Sequence, residues 1–359
     1  MPAVHSNPGA TCDCWKTNGL AARQLFPWSG TVRAWCNPAA QGVSWGESRS
    51  TGRAAGLDMS TVMGSAIPSE VVWGYLAFGV VFVLGLVAIV VRRDWQNARG
   101  FDKLLIFGPI FYAAPIATFG TEHFTLTAGI ERLIPAWIPW HFFWMYFIGV
   151  CFFVAALSLV TGIKARLAAS LLALTFFLFV ALMHGPGWAR HPENRFVLAV
   201  VLRETSFSGG ALALAVSLGD EPRTRLERIL ATIARLFVAV PILYFSVEQF
   251  LHGDHVPGIP LQAVTPEWIF GHEIWTYLTA AIYAVAGLFL LVGRKSRAAA
   301  ICLGATVLFL ELVVYVPIGI REIARLDLGL NYVADTLMFC GTLLLLARAM
   351  PRGASAVNR

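Results

Sequence analysis

Charge is what this sequence has least of. Only 13% of its 359 residues are Asp, Glu, Lys or Arg, about half the roughly 25% typical of a soluble chain. With 57% hydrophobic residues and a mean hydropathy of +0.67, the polar side chains are too few to cover a water-soluble globule. That shortage argues against a soluble enzyme and against a nucleic-acid partner. The formal net charge of +6 belongs instead to short basic loops between apolar runs, the habit of membrane proteins.

Two chemical signatures are also missing. There is no C-x-x-C pair: Cys12, Cys14 and Cys36 lie in the polar N-terminal stretch, and Cys151, Cys302 and Cys340 stand singly in apolar runs. A lone buried cysteine behaves as a small hydrophobe, so a thiol-exchange mechanism is disfavoured. Nor is there an H-x-x-x-H pair, so no metal site is nominated and haem is disfavoured. Residues 1–70, rich in Gly, Ser, Ala and Pro, show no helical or strand period and no signal-peptide core. They read as an extension outside the fold, with translation expected to begin at Met59 or Met63.

What the chain does have is long apolar runs. A membrane-crossing helix needs about 20 such residues. Val71–Val91 is uninterrupted and ends at Arg92-Arg93-Asp94; further spans are expected over 104–121, 138–161, 167–189, 196–218, 229–250, 272–292, 298–320 and 329–347. Lys and Arg set the orientation. Arg92, Arg93, Arg99, Lys103, Lys164, Arg166, Arg223, Arg225, Arg228, Arg235, Arg294, Lys295, Arg297, Arg348, Arg352 and Arg359 share one side, sixteen against six on the other. The six, counted from the first repeat onward, are Arg132, Arg190, Arg195, Arg203, Arg321 and Arg325; the N-terminal stretch adds Lys16, Arg23, Arg33, Arg49 and Arg53. The positive-inside rule then puts the C-terminus in the cytoplasm and residue 70 outside a bacterial-type inner membrane.

The sequence repeats. At an offset of 131, Pro135, Trp137, Ile138, His141, Trp144 and Tyr146 fall on Pro266, Trp268, Ile269, His272, Trp275 and Tyr277. Gly162, Lys164, Arg166, Pro186, Arg190, Thr205 and Gly210 fall on Gly293, Lys295, Arg297, Pro317, Arg321, Thr336 and Gly341. Glu204 falls on Asp335. Upstream the offset is 126, and Pro115, Phe119, Glu122 and Phe124 match Pro241, Phe245, Glu248 and Phe250. Repeats of four spans, an even number, keep one orientation in the membrane. The expected fold is all-α: a polytopic membrane protein with an N-terminal transmembrane helix at 71–92 and two tandem parallel four-helix bundles at 104–218 and 229–349.

Ionisable groups at membrane depth mark candidate sites. In the first unit these are Glu122, His123, His141, His184, Arg203 and Glu204; in the second, Glu248, His252, His272, Glu273, Tyr315 (the counterpart of His184), Asn331 and Asp335. Trp137 and Trp144 flank His141, and Trp275 follows His272. The i, i+4, i+7 spacing of Trp137, His141 and Trp144 predicts one inward face, with Glu122 hydrogen-bonded to His141. Each set then lines an outward-facing polar pocket. The residues suit a quinone or small polar ligand, while a set of purely structural interhelical hydrogen bonds remains open.

The F-x-x-E-x-F segments Phe119–Phe124 and Phe245–Phe250, the P-x-W-I before each second helix and the G-x-K-x-R turn before each third resemble the DoxX-like superfamily of four-helix membrane proteins, here in tandem. The resemblance covers roughly 104–349. It implies a non-catalytic membrane subunit of a redox or sulfur-related system, quinone-linked, beside a soluble or membrane oxidoreductase partner. It carries no agreed catalytic residues. A transporter or permease working between the repeats, or a scaffold without ligand, are the alternatives.

The basic bias makes a direct prediction. A phosphatase fused at Arg359 should be inactive and a fluorescent protein fused there bright; an active phosphatase reverses the topology.

Overall fold

A computed structural model describes residues 67–219, 223–259 and 263–351. Most of the expected N-terminal extension, and the proposed start at Met59 or Met63, lie outside the described residues. The described chain is all-helical. Among these residues nine helices are long and apolar enough to cross a membrane, as the hydropathy pattern predicts, so the chain is a multi-pass membrane protein by composition and length.

The nine are α1 (Ser69–Val91), α2 (Gly108–Thr125), α3 (His141–Thr161), α4 (Ala165–Phe179) and α5 (Arg195–Ser217). They continue with α6 (Arg225–Leu251), α7 (His272–Val292), α8 (Ser296–Leu310) and α9 (Tyr332–Ala349). The span containing α4 runs on through a π-turn, Val180–His184, to Arg190; that of α8 runs through Glu311–Tyr315 to Arg321. A third π-turn, Leu326–Asn331, leads into α9.

The internal repeat is visible residue by residue. α3 and α7, and α4 and α8, begin and end 131 residues apart, and so do the π-turns after α4 and α8. Gly162 and Gly293 close α3 and α7 in the left-handed conformation, at φ 81° and 80°, where a side chain would be strained. Lys164 and Lys295 repeat the same unusual φ at the start of the next helix.

Neighbour relations cross the boundary between the repeats. The helices close a ring in the order α2, α3, α4, α5, α6, α7, α8, α9 and back to α2, with α5 and α9 also packed on each other. The last helix of each repeat thus lies against the first helix of the other. Burial tracks this order: 89% of the apolar window of α9 is buried in the protein against 22% of α1. α9 is therefore central, and α1 leans on α2 and α3 with most of its surface left for lipid. At the arginine-rich end two ion pairs repeat the cross-over. Arg166 at the start of α4 meets Glu227 of α6 at 2.7 Å, and its counterpart Arg297 at the start of α8 meets Asp102, just ahead of α2.

Lipid is as apolar as leucine, so helices in it associate through close packing and internal hydrogen bonds. Gly341 of α9 provides the closest approach. A Cβ there would stand 2.6 Å from the Tyr112 amide nitrogen and 2.8 Å from the Phe111 carbonyl carbon, both backbone atoms of α2. Alongside it the Tyr112 hydroxyl donates to the Phe207 carbonyl of α5 at 2.7 Å, so three helices meet there.

Gly341→Ala should therefore lower stability by about 1–3 kcal/mol, the usual cost of overpacking. Gly79→Ala, at a position with nothing within 4 Å, should be neutral or slightly stabilising. Thermal midpoints of the two variants in one detergent check this; equal midpoints would contradict the close crossing.

Candidate functional site

Polar residues buried in a bilayer protein must satisfy one another, because the surroundings offer no water. Two turns into α5 from its arginine-poor end lie Arg203 and Glu204. Opposite, on α9, lies Asp335. The Arg203 guanidinium donates from Nη1 to Asp335 Oδ2 at 2.5 Å, joining the two repeats. Its plane also lies near Phe207, 5.9 Å from the ring centre. The neighbouring Glu204 turns the other way, its Oε1 3.1 Å from His184 Nε2.

Glu122, near the end of α2, completes the group. The side chains acting on it are Asn331, Asp335 and Arg203. Its Oε1 nevertheless has no hydrogen-bond partner, and neither do Arg203 Nε, Glu204 Oε2 or Asn331 Oδ1. A packed interior ordinarily gives such atoms a partner. Trp188, one turn beyond His184, likewise holds a buried indole N–H without an acceptor.

Local backbone aims these side chains. His184 and Asn331 each end a π-turn, as does Tyr315. A π-turn inserts one extra residue and rotates the side chains beyond it, a device common at functional sites. Pro186 and Pro317, each near the start of the succeeding helical segment, lack the N–H that a regular helix would use and so favour the interruption.

The expected grouping is thus corrected in several respects. The pattern of one pocket per repeat does not describe these contacts; Glu122, His184, Arg203 and Glu204 of the first repeat meet Asp335 and Asn331 of the second. Asn331, rather than His141, faces Glu122. His141 is half-buried at the first position of α3, and Trp137 and Trp144 are 69% and 40% exposed. The helix begins only at His141, so the helical spacing drawn back to Trp137 does not hold. The inward seam of α3 instead runs through Met145, Gly149, Phe152 and Ala156. His123 caps its own helix, Nδ1 to the Phe119 carbonyl at 2.7 Å, and packs edge-on to Phe152.

In the second repeat Glu248 is gripped by both Nε and Nη2 of Arg195 from α5. Tyr315 is buried and donates to the Pro257 carbonyl at 2.9 Å. Trp275 donates to the Phe270 carbonyl at 3.1 Å and packs at a tilt against Phe309, and His272 starts α7, half-buried. Of these only Tyr315 lies close enough to the central cluster to feel Asp335. Asn331 belongs to the set read from the second repeat; Arg195 is the partner that the sequence pattern does not mark. Its signal is weak, since it lies at a helix end where an interfacial role is the ordinary one.

Across the repeat the acids persist and their partners change. Glu122 corresponds to Glu248 and Glu204 to Asp335. Yet Arg195 has Leu326 as its counterpart, Arg203 has Ala334, Asn331 has Val200 and His184 has Tyr315. Glu248 is consequently hydrogen-bonded by a guanidinium, whereas the hydrogen-bonding side chain at Glu122 is the Asn331 amide. Among the described residues the polar path continues inward past Tyr315 to Glu311, whose Oε2 is buried and unpartnered, and to Tyr283, whose hydroxyl is likewise. Comparison with family models, with curated proteins and with solved structures gives no match.

Arg203→Ala should destabilise the fold by about 3–5 kcal/mol, because Asp335 is left buried without its cation. Glu122→Gln keeps an acceptor for Asn331 and should change stability by less than about 1 kcal/mol. Unfolding midpoints in detergent check both; an Arg203→Ala variant as stable as the parent would mean the pair is not a buried counter-ion contact.

Proposed function

We propose that the cluster between α5 and α9 is a proton-exchanging ligand site near the extracytoplasmic side of an inner membrane. The chain then serves as the membrane component of a quinone-linked redox or sulfur-related system. The observation that supports this reading is an imbalance of charge. Glu122, Glu204 and Asp335 gather around one permanent cation, Arg203, and one imidazole, His184. Net negative charge at membrane depth is costly, so the group balances by taking up protons or a ligand that supplies hydrogen bonds.

A quinone headgroup takes up two protons with two electrons and needs donors beside its carbonyls. The His184–Glu204 pair can pass a proton, imidazole to carboxyl, and the Asn331 amide and Trp188 indole can donate. Electrons come from an oxidoreductase partner; no electron-transfer step is assigned to this chain. The duplicated F-x-x-E-x-F pattern fits the same reading, with two tandem DoxX-like four-helix units sharing their end helices. In the alternative reading the chain is a small-molecule transporter. One observation favours it: the cluster lies between the repeats, where transporters hold their substrates.

Decylubiquinone titrated into the protein in nanodiscs, followed by tryptophan fluorescence, tests the proposal. His184→Ala and Glu204→Gln should each weaken binding about tenfold, near 1.4 kcal/mol, with unfolding midpoints little changed. Absence of binding by the parent, or equal binding by all three proteins, would overturn the quinone reading.

A further inference from the structure

The loop between α6 and α7 is where the repeat offset changes from 126 to 131, so the second repeat carries five residues here that the first lacks. This insertion brings two histidines and an aspartate together. We infer that His252, Asp254 and His255 form a binding site for a divalent transition-metal ion of the zinc type.

The geometry carries the assignment. One ligand atom from each of the three residues lies within 4.8 Å of the others. Turning the side chains inward brings such atoms to the edges of about 3.3 Å that a tetrahedral zinc with bonds of about 2.0 Å requires. The two imidazoles already stack, with ring centres 4.9 Å apart and planes within 17°. Two imidazolium rings so placed would repel, whereas two neutral ones offer their nitrogens to one ion.

The backbone beneath the three residues is fixed before any ion arrives. The His252 amide donates to the Glu248 carbonyl at 2.9 Å, and the His255 amide to the His252 carbonyl at 3.2 Å. The Asp254 carbonyl accepts from the Thr265 amide at 2.8 Å, and that of His255 from Thr276 Oγ1 at 3.0 Å. His255 also bridges Val264 across the loop. Further along, Gln249 holds Gly258 from both sides, at 3.0 Å and 3.4 Å, and Tyr315 holds the Pro257 carbonyl. Preorganisation of this kind is what a ligand set of only three side chains needs.

Two imidazoles and a carboxylate leave coordination positions open, and Asp254 is exposed. The ion would therefore meet solvent or a donor from another molecule rather than sit in a closed structural cage. Histidines that share an ion from one helix face are spaced H-x-x-x-H; the spacing here, H-x-D-H, brings its ligands together only in a loop. The inference is independent of the quinone proposal.

The test uses the full chain in detergent with Cys12, Cys14 and Cys36 changed to Ser, so that tail thiols do not compete. Calorimetric titration with zinc, and cobalt absorption as a reporter of ligand geometry, are compared with His255→Gln, with the His252→Gln/His255→Gln double variant and with Asp254→Asn. The expected result is one ion per chain. Affinity should fall at least tenfold in each single variant, and the tetrahedral cobalt bands should vanish in the double variant. Gel filtration should show all variants assembled, since the side chains lie in a loop. Zinc binding that is absent, or unchanged in the double variant, would overturn the assignment.

Discussion

Every polar group that enters the hydrocarbon must find its partner inside the protein. In this chain its central expression is the contact of Arg203 with Asp335, made across the seam between two repeated units. The pair requires α5 and α9 to lie side by side, and a small residue permits it: a Cβ on Gly210 of α5 would stand 2.9 Å from the Thr342 Cα of α9. The fold's most buried helix is the one that carries the acid.

Duplication gives such a protein two copies of every acid, and the copies have diverged in their surroundings. Glu248 acquired Arg195 and became half of a bidentate ion pair. Glu122 faces Asn331 and keeps an unsatisfied oxygen. Such an ion pair fixes helices, because breaking it leaves a buried charge. A carboxyl held only by an amide retains chemistry to offer. The same contrast separates His184, which meets Glu204, from Tyr315, which anchors a loop. The matched positions of the two repeats thus differ in their partners, although the residues follow one pattern.

Much of this was legible in the sequence. Nine apolar runs of about 20 residues leave a chain little choice, since in lipid a helix satisfies its own backbone and most other conformations do not. The offsets of 131 and 126 emerge from matched Trp, His, Pro and Gly residues, and the helices α3, α4, α7 and α8 keep that register. Glu122, His184, Arg203, Glu204 and Asp335 stood out because charge at membrane depth is rare.

Which of those residues touch was decided by tertiary structure alone. Sequence neighbours suggested Glu122 with His141, because their helices are consecutive. The actual partner, Asn331, lies over two hundred residues away and is brought there by α9 crossing to α2. The π-turns at His184, Tyr315 and Asn331 rotate side chains by an amount no hydrophobic period records, since one inserted residue leaves the apolar pattern nearly unchanged. Composition and periodicity fix how many helices there are and that they lie in a membrane. Only packing between distant segments determines which buried acid receives a cation and which does not.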